Sequence, residues 1–242
     1  MQTRKETAMK RSGTLAALLG MCVVLTILLL LFLPVFRVTD ITVTGNDLVS
    51  EDEIIAVARQ NSSNIFAYNS RKTKKALEKN NYIQEVQIKK HLPRTVEIKV
   101  TERRIRGYVE YTGSYLCLSD NGLVIDVKKE ITYPAPIITG LKFDTFTVGE
   151  VLETDNPDAF DSMIELSELF NKYQLINNVL KVDISDPRNI RFYCGSVQVI
   201  YGENDGSTER ILTLIEILKT LDTTIPGTLD LTLEDPTFTY TN

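Results

Sequence analysis

An uncharged apolar stretch near the N-terminus constrains this chain more than any other feature. It reads LAALLGMCVVLTILLLLFL over residues 15–33, and the uncharged window extends from Ser12 to Phe36. At about 1.5 Å per residue, a helix formed by the 19 residues 15–33 reaches roughly 28 Å, close to the ~30 Å hydrocarbon core of a bilayer. The sequence therefore predicts a single membrane-spanning helix.

The charges before this stretch predict its orientation. Residues 1–14 contain one acidic residue, Glu6, and four basic residues, Arg4, Lys5, Lys10 and Arg11. The positive-inside rule therefore places residues 1–14 in the cytoplasm as a short tail. A cleaved signal peptide is the alternative, but its apolar core is usually about 7 to 15 residues, followed by a small-residue cleavage site. This run is longer and exits through LPVFR, which favours an uncleaved anchor over residues 15–36.

The composition of the remaining chain excludes several classes of function. The whole chain has a formal charge of −5 and residues 1–14 carry +3, so the rest carries −8. Binding of nucleic acid through a general basic field is therefore not expected. His91 is the only histidine, which removes His-based triads and most zinc sites. Cys22 lies in the predicted span; Cys117 and Cys194 are either a disulfide or two buried free thiols.

The residues after the anchor predict a strand–helix–helix–strand–strand module. Residues 36–43 alternate apolar and polar side chains, and the SEDE sequence at 50–53 is a capping box that begins a helix. A second helix is predicted over 70–80. Alternating runs at 82–90 and 95–103, joined by HLPR, predict a hairpin. Two helices on one face of a three-stranded sheet follow from this order.

The second of these helices carries a basic face. It is formed by Arg71, Lys72, Lys74, Lys75 and Lys79. Such a face is usually solvated, and contact with anionic lipid headgroups or anionic wall polymers is the alternative. The sequence leaves the choice open.

The residues of this module carry a family resemblance. The matching positions are F-x-V-x-x-I-x-V-x-G-N at 36–46, NIF at 64–66, Leu77 with YIQEV at 82–86, and P-x-T-V-x-I-x-V-x-E-R at 93–103. This pattern resembles a POTRA domain. Behind a short tail and one anchor, the chain is similar to the FtsQ/DivIB family of bacterial division proteins. It departs at Arg104-Ile105-Arg106, where the family usually has proline and a small residue.

The rest of the chain predicts a β-rich domain with two helices. Asn121-Gly122 supplies a hairpin turn, Asn156-Pro157 starts a helix that runs to about Tyr173, and residues 207–221 form a second helix. Alternating runs predict strands at 180–184, 189–194, 197–201, 228–233 and 237–241. The fold class is therefore α+β: a single transmembrane helix, a POTRA domain (β-α-α-β-β) at 37–106, and a β-rich domain with two helices at 107–242.

No catalytic arrangement is recognised in the sequence. Ser119-Asp120-Asn121 matches a triplet of penicillin-binding proteins, but their Ser-x-x-Lys and Lys-Thr-Gly motifs are missing. The triplet is more typical of a hairpin turn. We therefore expect no catalytic residues, no metal, no cofactor and no small-molecule substrate.

An edge strand is the feature that offers binding instead. An exposed edge presents unpaired backbone groups that a partner's strand can use, and residues 237–241 are predicted to form one, with a frayed end as the alternative. The resemblance implies that the C-terminal strands and a neighbouring helix bind bitopic coiled-coil division proteins, DivIC/FtsB-like and FtsL-like, with septal peptidoglycan synthases as further partners. By position, the implied contact residues are Leu229, Leu231, Leu233, Phe238, Thr239 and Tyr240, with Gly202 and Glu203 at the rim.

Together these patterns predict a non-catalytic scaffold of the bacterial divisome. It is expected in the cell membrane as a single-pass type II protein at the division septum, with the N-terminus cytoplasmic and the bulk of the chain outside. Two alternatives remain. A POTRA-containing component of an export or assembly system would need repeated POTRA units, and an anchored wall hydrolase would need an activated nucleophile.

Overall fold

The computed structural model describes residues 18–26, 29, 33–61, 64–206 and 208–241. By internal contacts the chain divides into two units, Met1–Glu102 and Arg103–Asn242. We call the folded part of the first unit, from Pro34, the N-terminal module, and the second unit the C-terminal module. Each module has its own hydrophobic core.

The predicted membrane span lies only partly within the described residues. Residues 18–26 are helical. Positions 15–17, 27–28 and 30–32 of the predicted span fall outside the described part, as does the predicted tail at 1–14. Among the residues that are described, no helix is both long and apolar enough to cross a bilayer. The anchor stays a prediction.

The N-terminal module is a three-stranded sheet with two helices. Its elements are β1 (Asp40–Thr44), α1 (Glu51–Arg59), α2 (Ser70–Leu77), β2 (Ile83–His91) and β3 (Thr95–Glu102). The strand order is β1-β3-β2; β1 runs parallel to the central strand β3, and β2 runs antiparallel to it. This is the element order that the sequence predicts.

Local side chains explain where these elements begin. The Ser50 hydroxyl accepts a hydrogen bond from the Glu53 N–H at 3.3 Å, which caps α1 as the capping box predicts. Asn69 caps α2 in the same way, through the N–H of Lys72 at 3.1 Å. Strand β1 begins later than the predicted run at 36–43, because Pro34–Phe36 form a 3₁₀ turn.

The C-terminal module is built on a nine-stranded sheet. Its elements are β4 (Gly107–Tyr111), β5 (Ser114–Leu118), β6 (Val124–Lys128), β7 (Ile137–Thr139), α3 (Pro157–Lys172), β8 (Val179–Asp183), β9 (Ile190–Cys194), β10 (Val197–Gly202), α4 (Glu209–Leu218), β11 (Gly227–Asp230) and β12 (Thr237–Tyr240). The strand order is β12-β11-β10-β9-β8-β7-β4-β5-β6. The α+β class and the β-rich second part are confirmed.

Helix α4 connects two parallel neighbours, β10 and β11. Parallel neighbours need such a crossover because the chain leaves the first strand at one end of the sheet and must enter the next strand at the opposite end. Ile211 and Leu214 of α4 are buried in the core, whereas Leu212, predicted as part of the same apolar stripe, is exposed. Strand β11 ends at Asp230 rather than near 233, because the Asp230 carboxylate accepts hydrogen bonds from the Thr232 N–H and hydroxyl at 2.8 and 2.6 Å.

Cys117 and Cys194 are both buried free thiols, which decides the alternative that the sequence left open. Desolvation in the interior raises the pKa of Cys117 to about 11 and that of Cys194 to about 12. The thiolate is the nucleophilic form of cysteine. We therefore expect both thiols to resist iodoacetamide at pH 8 in the folded chain and to react fully in denaturant, as counted by mass spectrometry.

The same pKa shifts give a dependence of stability on pH. An exposed thiol in the unfolded chain has a pKa of about 8.5. Because folding raises both pKa values, the buried thiols contribute stability that is fully present below that pH and is lost as pH rises towards about 11 and 12. A Cys117→Ala/Cys194→Ala variant should lose less stability between pH 8 and 10 than the parent chain. Native alkylation at either position would contradict this burial.

Candidate partner-binding surface

Strand β12 forms an edge of the nine-stranded sheet, and within the described residues it pairs with β11 alone. The Thr241 N–H donates to the Pro226 carbonyl at 3.1 Å, in register with the β11–β12 ladder. Hydrogen-bonded and non-bonded pairs alternate along an antiparallel ladder. Thr239 therefore shares hydrogen bonds with β11, whereas the backbone N–H and C=O groups of Phe238 and Tyr240 point away from the sheet.

The side chains of these two outward-facing residues share one face of β12. Their rings meet edge to face, with centroids 4.9 Å apart and planes at 83°. Phe238 is half-buried and lies directly over Gly227, where a Cβ would overlap its ring. Tyr240 is 67% exposed. The edge thus combines two free backbone positions with one anchored and one solvent-facing aromatic ring.

A cleft of about 410 Å³ lies beside this edge, between α4 and the β11–β12 connection. Its lining residues are Glu209, Arg210, Thr213, Leu231, Thr232, Leu233, Glu234 and Pro236. Leu233 is 50% exposed there. Glu209 and Glu234 flank the apolar and threonine side chains, so the cleft is acidic at its margins.

Arg210 fixes the rim of this cleft. Its guanidinium donates to the carbonyls of Tyr201 and Glu203 at 3.0 and 2.6 Å, and pairs with the Asp205 carboxylate at 2.7 Å. The backbone at the end of β10 is thereby held. A Cβ at Gly202 would stand 2.8 Å from Thr232, so the chain ends of β10 and β11 approach closely here. Sequence reasoning missed Arg210; its one signal was that α4 contains no other basic residue.

The structure brings the predicted contact residues together at one edge of the sheet, with unequal exposure. Leu233, Thr239, Tyr240 and Glu203 are exposed and Phe238 is half-buried. The remaining three are buried, namely Leu229, Leu231 and Gly202. The two buried leucines belong to the core under β11 and β12. They can support the edge, but their side chains do not reach its surface. Partner contact by this set stays a prediction.

The Ser119-Asp120-Asn121 triplet, which resembles a motif of penicillin-binding proteins, forms part of a turn in the structure. The Ser119 hydroxyl donates to the Asn121 side chain at 2.6 Å and accepts from the Leu123 N–H at 3.0 Å. These bonds close the turn between β5 and β6. Across the described part of the chain, no group of three or more His, Cys, Asp or Glu side chains is placed to hold a metal ion.

Comparison with known proteins identifies the first module. A domain model described as "POTRA domain, FtsQ-type" matches residues 36–103. Its limits agree with the residues that carry the predicted pattern, and the POTRA prediction is confirmed.

The similarity extends into the C-terminal module. The cell division protein DivIB of Clostridium tetani (strain Massachusetts / E88) is 26% identical over 187 residues, which cover 76% of this chain and 71% of the relative. DivIB of Clostridium botulinum (strain Hall) is 26% identical over 212 residues, covering 87% and 83%. DivIB of Bacillus subtilis (strain 168) is 29% identical over 126 residues, covering 51% and 47%. With the POTRA match, these similarities support the assignment of this chain to the FtsQ/DivIB family of bacterial cell division proteins.

Proposed function

We propose that this chain is a non-catalytic scaffold of the divisome, anchored by one membrane helix, that binds partners through the edge of its C-terminal sheet. The proposed topology is a cytoplasmic tail at 1–14, a span over the apolar run at 15–33, a POTRA domain at 37–106 and a β domain at 107–242, both domains outside the cytoplasm at the septum. The predicted span reaches residue 36, but Pro34–Phe36 form a 3₁₀ turn that belongs to the N-terminal module. The partners are bitopic coiled-coil proteins of the DivIC/FtsB-like and FtsL-like kinds, with septal peptidoglycan synthases as further partners.

The free edge of β12 is the observation that supports this proposal. Phe238 and Tyr240 direct unpaired backbone groups outward, and a partner's strand can pair with them. The Tyr240 ring on this edge is 67% exposed and packs edge to face on Phe238, so it is available to contact a side chain of the added strand. The adjacent cleft, with Leu233 at its margin, can receive a side chain from a segment that leaves the added strand.

Charge favours a basic partner segment at this edge. Residues 103–242 contain 22 acidic and 12 basic residues, a net charge of −10. Glu203, Glu234 and Asp235 are exposed close to the cleft and β12. Complementary charge raises association rates and selects partners more than it adds affinity. A strand preceded or followed by Lys and Arg is therefore the expected ligand.

A proline at Tyr240 tests the edge mechanism. Proline removes an outward N–H and places its ring where the added strand would lie, while it leaves the β11–β12 hydrogen bonds intact. We expect Tyr240→Pro to weaken capture of co-expressed DivIC-like and FtsL-like proteins by roughly tenfold or more, from a lost hydrogen bond and a steric clash. Affinity is measured with the full chain in detergent, against partners identified by mass spectrometry.

Two further variants complete this experiment. Tyr240→Thr keeps the N–H and a strand-forming residue, so it should retain most of the binding. Truncation before Thr237 should abolish capture while leaving the core folded, as checked by circular dichroism. If Tyr240→Pro binds partners as tightly as Tyr240→Thr, strand addition at β12 is wrong.

A further inference from the structure

At one end of the N-terminal module, the start of β1 lies beside the tip of the β2–β3 hairpin. Because β1 and β3 are parallel and β2 is antiparallel to β3, the beginnings of β1 and β3 meet the end of β2. The Thr39 N–H donates to the Arg94 carbonyl at 3.2 Å, and the Arg94 guanidinium pairs with Asp40 at 3.0 Å. We call this region the hairpin end, and the opposite one the Glu102 end.

The loop that precedes α2 lies at the hairpin end as well. The Ile65 N–H donates to the Phe36 carbonyl at 2.8 Å, and the rings of Phe36 and Phe66 are 5.1 Å apart. The Lys90 ammonium, one residue before the end of β2, donates to the Tyr68 carbonyl at 2.6 Å. The first turn of α2 therefore begins beside the hairpin.

Exposed apolar side chains are concentrated at this end. Val35, Phe66 and Leu92 are 51%, 47% and 65% exposed. In the described part of residues 34–102, the other large apolar side chain of this kind is Leu48, at 37%. Leu48 lies at the Glu102 end, where its N–H donates to the Glu102 carboxylate at 2.7 Å. Single exposed apolar residues are ordinary, but their segregation to one end is informative.

Charge is segregated in the same direction. The basic residues at the hairpin end are Arg37, Arg71, Lys72, Lys90 and Arg94. Its acidic residues are Asp40, paired with Arg94, and Glu97, which contacts His91 at 2.7 Å. At the Glu102 end, α1 begins with three acidic residues, Glu51, Asp52 and Glu53. The hairpin end is therefore both the more basic and the more apolar end of the module.

The chain path limits how far this end can lie from the predicted anchor. Strand β1 begins at Asp40, seven residues after Leu33, and seven extended residues span at most about 25 Å. Pro34–Phe36 are 3₁₀ and rise only about 2 Å per residue, which shortens the reach further.

We propose that the hairpin end is a membrane-contact surface, in which Phe66 and Leu92 meet the bilayer interface while the surrounding Lys and Arg bind anionic lipid headgroups. The proposal rests on the anchor in the proposed function, and it adds a surface of the N-terminal module that is separate from the β12 edge. Each Lys or Arg near an anionic leaflet strengthens binding by roughly fivefold. Contact at this end holds the acidic start of α1 away from the lipid.

A tryptophan reporter tests this surface, because the chain contains no tryptophan. Full-length Leu92→Trp and Leu48→Trp chains are reconstituted into vesicles of phosphatidylcholine, with or without phosphatidylglycerol. Their fluorescence is measured with lipids that carry a nitroxide quencher near the headgroup. We expect quenching and a blue shift for Leu92→Trp in the anionic vesicles, loss of both in about 1 M salt, where the Debye length is about 3 Å, and neither effect for Leu48→Trp.

Matched charge reversals identify the side chains involved. Arg71→Glu/Lys72→Glu at the start of α2 and Lys75→Glu/Lys79→Glu further along change the charge equally. In the Leu92→Trp chain, the first pair should abolish most of the quenching that depends on phosphatidylglycerol, and the second should retain most of it. Equal losses from the two pairs would indicate a general charge effect and contradict a localised surface.

The outcomes separate this proposal from the anchor and from the partner surface. Flotation of the chain with vesicles reports the anchor alone. A chain that floats while Leu92→Trp is unquenched, or is quenched no more than Leu48→Trp, overturns membrane contact and leaves the anchor intact. A chain that does not float overturns both. Binding of a soluble anionic wall polymer without lipid quenching would assign the surface to the wall and overturn the lipid proposal.

Discussion

Replacement of Phe192 with alanine is expected to destabilise the C-terminal module by about 3–5 kcal/mol. Phe192 is fully buried on β9, and its ring centroid lies 5.2 Å from that of Phe170 on α3 and 5.9 Å from that of Tyr201 on β10. Truncation removes the transfer free energy of the ring and leaves a cavity between helix and sheet that the flanking strands cannot close. Denaturant unfolding of the full chain in detergent measures the loss.

An exposed leucine on the neighbouring strand provides the control. Leu180 of β8 is 56% exposed, so Leu180→Ala should change the free energy of unfolding by no more than about 0.5 kcal/mol. The N-terminal module has a separate core. The hydrogen exchange rates of the β3 amides should therefore be the same in the parent chain, in Phe192→Ala and in Leu180→Ala. Equal destabilisation by the two substitutions would contradict the packing of Phe192.

The Phe192→Ala variant also tests whether the candidate partner-binding surface depends on the core of the C-terminal module. Strands β10 and β11 carry β12, and Tyr201 of β10 contacts Phe192. Loss of partner capture in Phe192→Ala should therefore accompany loss of the fold. Loss of capture in Tyr240→Pro should occur with the fold intact, which separates an edge effect from a packing effect.

The N-terminal module could be predicted from sequence because its determinants are local. Ser50 with Glu53 marks the start of one helix, and the HLPR connector joins two strands that pair directly. All three strands share one core face, which the alternation of Val96, Ile98 and Val100 indicates. What the pattern could not supply is the strand order, since the parallel pairing of β1 with β3 joins residues far apart in the chain.

The order of the nine-stranded sheet was beyond sequence reasoning for the same physical reason. Strand β7 pairs with β4 and β8, and β10 with β11, through contacts that no local spacing encodes. Alternation at Leu229 and Leu231 correctly indicates that one face is buried. It does not say which face a partner meets, and the structure places both leucines beneath the sheet surface.

The candidate surface was therefore predictable in part. The position and alternation of 237–241 are local properties, and β12 lies at an edge of the sheet. The role of Arg210 was not predictable from sequence. Its acceptors are the backbone carbonyls of Tyr201 and Glu203, and the sequence does not show how the chain turns at the end of β10 to direct them at the guanidinium.

Gly45→Ala is expected to destabilise the N-terminal module by about 2–5 kcal/mol. Gly45 has φ +84°, and a left-handed conformation costs a residue with a Cβ about 1–2 kcal/mol. The added Cβ would also overlap the backbone carbonyl oxygen of Val100. Relief requires a shift of central strand β3, which is paired on both sides, so an overpacking cost of about 1–3 kcal/mol adds to the first.

Gly113→Ala separates the two costs of the Gly45 substitution. Gly113 has φ +76°, but a Cβ there would meet nothing within 4 Å, so the conformational cost of about 1–2 kcal/mol acts alone. The free energy of unfolding is measured for each chain by hydrogen exchange of core amides in the substituted module. An excess loss for Gly45→Ala measures the close approach of the β1 turn to β3. Equal losses would mean that β3 yields freely at Val100, which is incompatible with a central strand held by two neighbours.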